Sequence, residues 1–163
     1  MWDISLRPLA PEDAAPVAAL IRAAFAAQSV VTDPLPSALR VTEADVAAHL
    51  RAGSGVVAEV GTSLVSSVLW AAQHDGLYLG RLAVAPSWRR RGLRRALVAA
   101  AEAAARNAAL PVMRLSTRLA LLDNRRLFAA CGFVETTREA HPGHSEPTFV
   151  NMEKRLSWAP GPG

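Results

Sequence analysis

The spacing of apolar residues predicts alternating strands and helices along the first third of the chain. Residues 4–7 alternate apolar and polar side chains, as in a strand with one buried face. After two prolines, residues 12–27 carry apolar side chains at helical spacing. Residues 28–41 contain two more prolines and are predicted to form a loop. Thr42 followed by Asp45 is typical of the capped start of a second helix.

The middle of the chain has a two-residue period. This period covers residues 56–60, 63–72 and 77–84, with turn residues between them, and it predicts a three-stranded meander. Residues 91–107 then have a helical pattern that is rich in alanine. The meander therefore leads into a long helix.

The last third returns to alternation. Residues 112–117 are predicted to form a strand, residues 123–131 a short helix, and residues 134–137 and 148–152 a final pair of strands. A helix between two parallel strands makes the crossover that such strands require. We therefore predict an α/β fold built on one mixed sheet.

Length and composition are those of one globular domain. The chain has 163 residues, of which 51% are hydrophobic and 20% are charged. We expect the domain to occupy residues 1–156 and residues 157–163 to be a disordered tail. Cys131 is the only cysteine, the N-terminus lacks a signal-peptide pattern, and the longest charge-free stretch is too short to span a membrane. These features favour a cytoplasmic protein without a membrane segment.

Positive charge is concentrated in one segment. The net charge is +4, yet six arginines and no acidic residue lie between Arg81 and Arg95. A diffuse basic surface would suit nucleic acid or anionic lipid, whereas a compact cationic segment suits a nucleotide cofactor. We therefore keep a nucleic-acid-binding domain only as a weaker alternative.

The basic segment surrounds the start of the long helix. Residues 84–97 read VAPSWRRRGLRRAL, so a strand end is followed by a helix that opens among arginines and Gly92. Free N–H groups and the helix dipole favour an anion at this position, and glycine lets a phosphate approach the backbone. Arginines in a first helical turn oppose the dipole unless an anion binds there. The segment therefore predicts a phosphate-binding site.

Two segments resemble the GNAT (Gcn5-related) N-acetyltransferase family. The pattern V-x-P-x-x-R-x-x-G-x-R from Val84 to Arg94 is similar to the family's acetyl-CoA signature, whose core is R/Q-x-x-G-x-G/A. Residues 124–133, NRRLFAACGF, resemble the family's N…L-Y/F-x-x-x-G-F segment. The resemblance extends over residues 4–156. It implies the GNAT acyl-CoA N-acyltransferase fold, a three-layer domain whose central sheet splays, and an acetyl-CoA-dependent N-acetyltransferase without a metal.

The resemblance also implies which residues bind acetyl-CoA. The backbone of Leu82, Ala83 and Val84 would pair with the pantetheine amides as an added strand. Asn124 would either contact the pantetheine arm or cap the short helix. The pyrophosphate would be held by the backbone of the helix-start segment, and arginine side chains from it could reach the 3′-phosphate. That segment consists of Arg89, Arg90, Arg91, Gly92, Leu93 and Arg94.

Two positions depart from the family pattern. Arg94 stands where the family usually has Gly or Ala. Its side chain could add a phosphate contact or crowd the pyrophosphate, although at a helix start it can also point away. Phe128 stands where many relatives have a tyrosine that protonates the departing thiolate. The only tyrosine, Tyr78, lies six residues before Val84 on the same strand and is a poor substitute. We therefore expect Phe128 to pack against the thioester, with slower turnover as the result.

Amine attack on a thioester requires a base and a donor to the carbonyl oxygen. A backbone N–H near Val84 would be the donor in this family. His141 and His144 are the candidate bases, because they lie in a loop that borders the acceptor pocket of this fold. Glu59 is a further candidate, and the two histidines alone are not expected to hold zinc.

The favoured function is therefore the transfer of an acetyl group from acetyl-CoA to a primary amine of a small molecule or protein, by direct attack in a ternary complex. The alternative is a catalytically weak or inactive CoA-binding module of the same fold, because Phe128 replaces the acid. The acceptor is chosen by the loops at residues 28–41 and 141–148, which follow no transferable code. A homodimer is an open alternative.

Overall fold

The computed structural model describes residues 3–157. The predicted order of elements is confirmed over that part of the chain, and apart from Ser157 the predicted disordered tail lies outside it. The strands are β1 Ile4–Pro8, β2 Ser54–Val60, β3 Ser63–Gln73, β4 Gly76–Val84, β5 Val112–Arg118, β6 Val134–Glu139 and β7 Phe149–Arg155. The helices are α1 Ala14–Ala26, α2 Glu43–Leu50, α3 Leu93–Asn107 and α4 Leu122–Ala130.

The helix starts follow local chemistry. At α2, the Asp45 N–H donates to Thr42 Oγ1 at 3.2 Å and the Thr42 N–H donates to Asp45 Oδ2 at 2.9 Å, which confirms the predicted cap. Helix α3 begins at Leu93, two residues later than expected, because Gly92 has a left-handed backbone with φ of 75°. A left-handed residue cannot continue the right-handed helix toward its N-terminus.

The strands form one open sheet in the order β1-β2-β3-β4-β5-β7-β6. Every neighbouring pair is antiparallel except β4 and β5, which are parallel and are joined by α3. Strand β7 inserts between β5 and β6, so β6 forms an edge of the sheet. The predicted mixed sheet with a crossover helix is confirmed.

The sheet opens between β4 and β5. These strands pair over three positions, Gly76 with Val112, Leu77 with Met113 and Tyr78 with Arg114. Beyond that point β4 stays paired with β3, and β5 stays paired with β7. Strands β4 and β5 are no longer paired with each other. The predicted splay is confirmed, and it leaves one backbone edge of each strand facing a wedge.

Helices cover both faces of the sheet. On β3, Leu69 packs with α1 residues, whereas Val68 and Trp70 on the other face pack with α3 residues such as Leu97. This alternation is the two-residue period of a strand buried on both sides. Two cores therefore sandwich the sheet, and the wedge opens between them as part of a three-layer structure.

Within residues 3–157, none of the helices has both the length and the apolarity to cross a bilayer. The same residues contain no group of three histidine, cysteine, aspartate or glutamate side chains arranged to hold a metal ion.

Candidate active site

Two adjoining cavities fill the wedge. The first, about 500 Å³, lies between the diverging parts of β4 and β5 and beneath the loop that follows α1. The second, about 1120 Å³, lies at the starts of α3 and α4. Leu82, Leu121 and Asn124 line both cavities, so the two spaces meet at the end of β4. An elongated ligand could therefore extend from one into the other.

The free edge of β4 supplies backbone groups to this cleft. The Ala85 N–H donates to Val65 O at 2.8 Å, toward β3. Because N–H groups alternate in direction along a strand, that of Val84 faces the opposite side, toward the cleft. The Ala83 carbonyl accepts from Ser66 Oγ at 2.8 Å and so is directed to β3. The backbone groups of Leu82 and Val84 therefore face the cleft, because those of the residue between them face β3. Only these two of the three residues predicted to bind pantetheine can pair with it.

Strand β4 has a bulge at the middle of the wedge. The register with β3 shifts between Ser67 and Leu69, and Arg81 on β4 has a left-handed φ of 54°. A bulge re-aims the side chain of the extra residue. Arg81 consequently lines the first cavity. The sequence analysis expected all six arginines of the basic segment to act at one polyanion. Arg81 instead lies apart from the other five.

The second cavity is bordered by the loop that precedes α3. Arg90 and Gly92 both have left-handed backbones, with φ of 62° and 75°. Gly92 is the N-cap of α3 and makes no side-chain cap, so the first N–H groups of the helix are available to a ligand. Backbone N–H groups arranged in this way form a concave anion site. The loop thus has the backbone geometry that a phosphate requires.

The arginine side chains around this loop divide into separate roles. Arg89 donates to Ala24 O and Ala27 O, both at 3.3 Å, and so satisfies carbonyls at the end of α1. The Arg91 guanidinium lies 4.6 Å from the centre of the Trp88 ring. Arg89, Arg90, Arg94 and Arg95 line the second cavity, whereas Arg91 does not. Four of these five arginines therefore border the cavity in which the phosphate is predicted to bind.

Arg94 lines the second cavity, and its contact with a phosphate stays a prediction. Its Nη1 donates to Asn124 Oδ1 at 2.8 Å, which joins the start of α3 to the start of α4. The side chain is half-buried, and burial lowers the pKa of its guanidinium. Helix α4 begins at Leu122 with Leu121 as an N-cap that makes no side-chain bond. Asn124 therefore does not cap α4, and its contact with pantetheine stays a prediction.

Replacing Arg94 by alanine should weaken acetyl-CoA binding about fivefold. The change removes a half-buried positive charge beside the second cavity and releases the Asn124 amide that the guanidinium orients. Titration calorimetry would measure the dissociation constant. Arg51→Ala is the matched control, because Arg51 at the end of α2 lines neither cavity. Equal affinity in both variants would contradict a role for Arg94.

The first cavity contains one of the two predicted histidines. His141 lines it, with Nδ1 against Thr148 Oγ1 and the ring 4.9 Å from that of Phe149. Burial, then the charges of Arg118 and His144, lower the pKa of His141 below its usual 6.5. In the tautomer in which Nδ1–H donates to Thr148 Oγ1, Nε2 is the nitrogen left to accept a proton. A neutral imidazole at this position can act as a base.

The other two candidate bases lie elsewhere. His144 Nε2 is 3.5 Å from Asp33 Oδ1, and His144 does not line the first cavity. Glu59 on β2 pairs with Arg7 Nε at 3.2 Å and lines neither cavity. The structure thus brings only His141 of the three to the cavity wall.

Phe128 and Tyr78 line the same cavity. Phe128 is 7% exposed, and its ring lies 6.0 Å from that of Phe133 in an edge-to-face contact. The Tyr78 hydroxyl donates to Ser116 Oγ at 3.1 Å, and Ser116 in turn donates to Asn151 Oδ1 at 2.5 Å. From the sequence, Tyr78 was rejected as the acid that protonates the thiolate, because it lies six residues from Val84 along β4. Sequence reasoning had no means of placing the tyrosine at the last pair before the strands diverge.

Arg118 was also missed by the sequence analysis. It ends β5 and lines the first cavity opposite Arg81 on β4. No sequence motif includes Arg118 or indicates where the Arg81 side chain points. The direction of Arg81 depends on a bulge in β4, and the exposure of Arg118 to the cavity depends on where β5 stops pairing with β4. Their position across the wedge becomes visible only in three dimensions.

Solved structures with the same architecture include several acetyltransferases. PaiA N-acetyltransferase from Thermoplasma acidophilum in complex with coenzyme A has 17% identity and a TM-score of 0.76, with 94% of this chain and 99% of that chain covered. The ribosomal-protein-S18-alanine N-acetyltransferase from Escherichia coli has 17% identity and a TM-score of 0.76, with 98% and 97% covered. YncA, a putative acetyltransferase from Salmonella typhimurium with acetyl-CoA, has 16% identity and a TM-score of 0.74, with 99% and 98% covered.

At these identities the solved structures show that the fold is shared. No curated protein sequence matches the chain significantly. The family model described as acetyltransferase (GNAT) family matches residues 20–133, a range that includes the phosphate-site loop, both predicted motifs and the diverging parts of β4 and β5. The splayed sheet, the loop before α3 and this match agree, and the chain belongs to the GNAT acetyltransferase family.

Proposed function

We propose that this protein transfers an acetyl group from acetyl-CoA to a primary amine by direct attack in a ternary complex. The observation that carries the proposal is the wedge between β4 and β5. It has an anion-binding loop at one end, a free strand edge along its side and a histidine at the other end. Two of the three solved structures described above contain coenzyme A or acetyl-CoA.

The residues of the cleft fit acetyl-CoA from end to end. The backbone from Arg90 to Leu93 would hold the pyrophosphate, with Arg94 and Arg95 adding charge beside it. The free edge of β4 from Leu79 to Val84 is six residues long, about 20 Å at roughly 3.3 Å per residue, and offers amide partners to the pantetheine arm. The thioester would then lie near Leu82, in the first cavity.

His141 would accept the proton that the attacking amine loses. Its neutral form predominates because its pKa is lowered, and its Nε2 is left free by the contact of Nδ1 with Thr148. A backbone N–H of β4 would donate to the thioester oxygen as that oxygen gains negative charge. Val84 is the predicted donor, and Leu82 is a second candidate closer to the reacting carbon because it lines both cavities.

Phe128 favours the second candidate function, a CoA-binding module with little turnover. A phenyl ring cannot protonate the departing thiolate, and the proton of Tyr78 is directed to Ser116. An alkyl thiol nevertheless has a pKa near roughly 8.5, so its thiolate can leave without an acid. We therefore propose slow transfer, with water completing the protonation.

A thermal melt with acetyl-CoA tests the proposal first. At about 100 times its dissociation constant, acetyl-CoA should raise the free energy of unfolding by ~2.7 kcal/mol. The companion measurement is the release of free coenzyme A thiol in the presence of primary amines. A shift with thiol release supports transfer, and a shift without release supports the binding module. An unchanged melting temperature would overturn both.

A further inference from the structure

The amine that this enzyme acetylates carries a carboxylate, we infer, and Arg81 and Arg118 bind it. The inference rests on the proposed function and names the substrate class: a small molecule with an amine and a carboxylate, such as a free amino acid. The observations that carry it are the two guanidinium groups on opposite walls of the first cavity and the charges around them.

Both arginines hold the loop that covers the cavity. Arg81 Nη2 donates to Ser37 Oγ at 3.0 Å. Arg118 Nη1 donates to Pro34 O at 2.5 Å, and its Nη2 is 3.4 Å from Leu35 O. A guanidinium has five N–H donors, so each keeps donors that these contacts do not use. The cavity wall thus contains two positioned cations with unused hydrogen-bond donors.

No carboxylate balances these cations inside the cavity. Among residues 3–157, neither arginine forms a salt bridge, and no aspartate or glutamate lines the first cavity. The acidic side chains whose charges act on them, Asp45 on Arg81 and Asp33 on Arg118, lie outside it. Asp45 is bound to Thr42 at the start of α2, and Asp33 is 94% exposed and faces His144.

Partly buried cations without a counter-ion are unfavourable unless a ligand supplies the negative charge. Burial lowers the pKa of both guanidinium groups, which agrees with their desolvated positions. A carboxylate can accept two parallel hydrogen bonds from a guanidinium, which fixes its orientation as well as its position. The cavity is therefore complementary to an anion and repels an acceptor that is purely cationic, such as a polyamine.

The position of His141 sets where the amine must be. The charge of Arg118 acts on His141, so the two groups are neighbours on the cavity wall. A carboxylate bound at the arginines would leave an adjacent amine within the same cavity, close to the proposed base. The surrounding positive charge also favours the neutral amine, which is the form that attacks. A volume of about 500 Å³ accommodates a small molecule.

Matched pairs of acceptors test this inference. Each proteinogenic L-amino acid would be compared with its own amide, with acetyl-CoA held constant and free thiol as the readout. The two members of a pair share the amine and the side chain and differ in the carboxylate. We expect kcat/KM for the best amino acids to exceed that for their amides by about tenfold or more.

Variants assign the preference to the two arginines. Arg81→Gln and Arg118→Gln should each reduce the acid-to-amide ratio, mainly through the KM of the acid, while the KM for acetyl-CoA changes less than about twofold. Arg118→Lys should retain part of the preference for the acid over the amide, because lysine keeps the positive charge but lacks the planar guanidinium donors. Arg51→Gln is the control, because Arg51 is exposed at the end of α2 and does not line the cavity.

The outcomes separate this inference from the proposed function. If a glutamine variant only displaced the covering loop, acetylation of the acid and of the amide would slow equally and the acid-to-amide ratio of kcat/KM would not change. An unchanged ratio in both glutamine variants would therefore overturn the role of the arginines. Equal or faster acetylation of the amides by the unaltered protein would overturn the carboxylate inference alone. Thiol release with other primary amines but with neither member of any pair would overturn this inference and leave the proposed function standing. No thiol release with any primary amine would overturn the proposed transfer itself.

Discussion

Replacing His141 by glutamine should lower kcat/KM for acetyl transfer by about 10²- to 10⁴-fold, the usual contribution of a positioned base. His141 is the one candidate base that lines the first cavity, and its ring is held by Thr148 and Phe149. Glutamine has a similar size and can hydrogen-bond but cannot accept a proton at neutral pH. The dissociation constant of acetyl-CoA should stay within about twofold, because the phosphate-site loop is unaffected.

The pH profile distinguishes a base from a structural histidine. An acceptor amine must be neutral to attack, which gives log kcat/KM a slope of about one below the amine pKa. Protonation of His141 should add a second unit of slope below its own pKa. That break should fall below pH 6.5, because burial, Arg118 and His144 lower the pKa of His141. His141→Gln should show a slope of about one without the break.

His144→Gln is the matched control. It removes an imidazole from the same loop, but His144 faces Asp33 and does not line the cavity. We expect a change in kcat/KM of less than about threefold. The break in the pH profile should persist but move to higher pH, because His144 no longer lowers the pKa of His141. His141 would not be the base if His144→Gln caused the large loss of kcat/KM and His141→Gln did not. The same conclusion would follow if the break in the pH profile survived in His141→Gln.

Replacing Gly92 by alanine should raise the dissociation constant of acetyl-CoA by about 10- to 100-fold. The added methyl group would occupy the space through which a phosphate approaches the backbone N–H groups at the start of α3. Loss of a hydrogen bond to a charged group costs about 1.5–3 kcal/mol, which corresponds to this range. Calorimetric titration with acetyl-CoA would measure it.

Gly61→Ala separates ligand binding from backbone strain. Gly61 and Gly92 have similar left-handed φ values, 59° and 75°, and a Cβ at either would have no protein atom within 4 Å. Each alanine should therefore cost about 1–2 kcal/mol of stability. Gly61 lies in the turn between β2 and β3 and lines neither cavity, so its variant should bind acetyl-CoA normally. Comparable affinity losses in both variants would contradict the phosphate site at Gly92.

The succession of elements could be predicted from local patterns, because each element carries its own signal. The two-residue period of β2 to β4, the alanine-rich face of α3 and the cap of α2 all depend on residues close in sequence. The boundaries of α3 were less predictable. A left-handed Gly92 delays its start by two residues, and that conformation depends on how the loop closes.

The loop before α3, where a phosphate is predicted to bind, could be located from the sequence for a similar reason. Its chemistry uses backbone N–H groups at a helix start, so one short segment of sequence contains nearly the whole site. The roles of individual side chains were less accessible. The sequence indicated six arginines in one basic segment. Only the fold shows that Arg89 binds the end of α1, that Arg94 reaches Asn124 and that Arg81 belongs to the other cavity.

By itself the sequence determined the order of strands and helices and the place of the loop before α3, because these depend on interactions within a few residues of one another. Tertiary structure alone decided where β4 and β5 separate, which of His141 and His144 reaches the cavity, and that Arg81 faces Arg118 across it. These features depend on strand register and on a bulge at a residue other than glycine. Register is set by contacts between segments distant in sequence, and no local pattern records them.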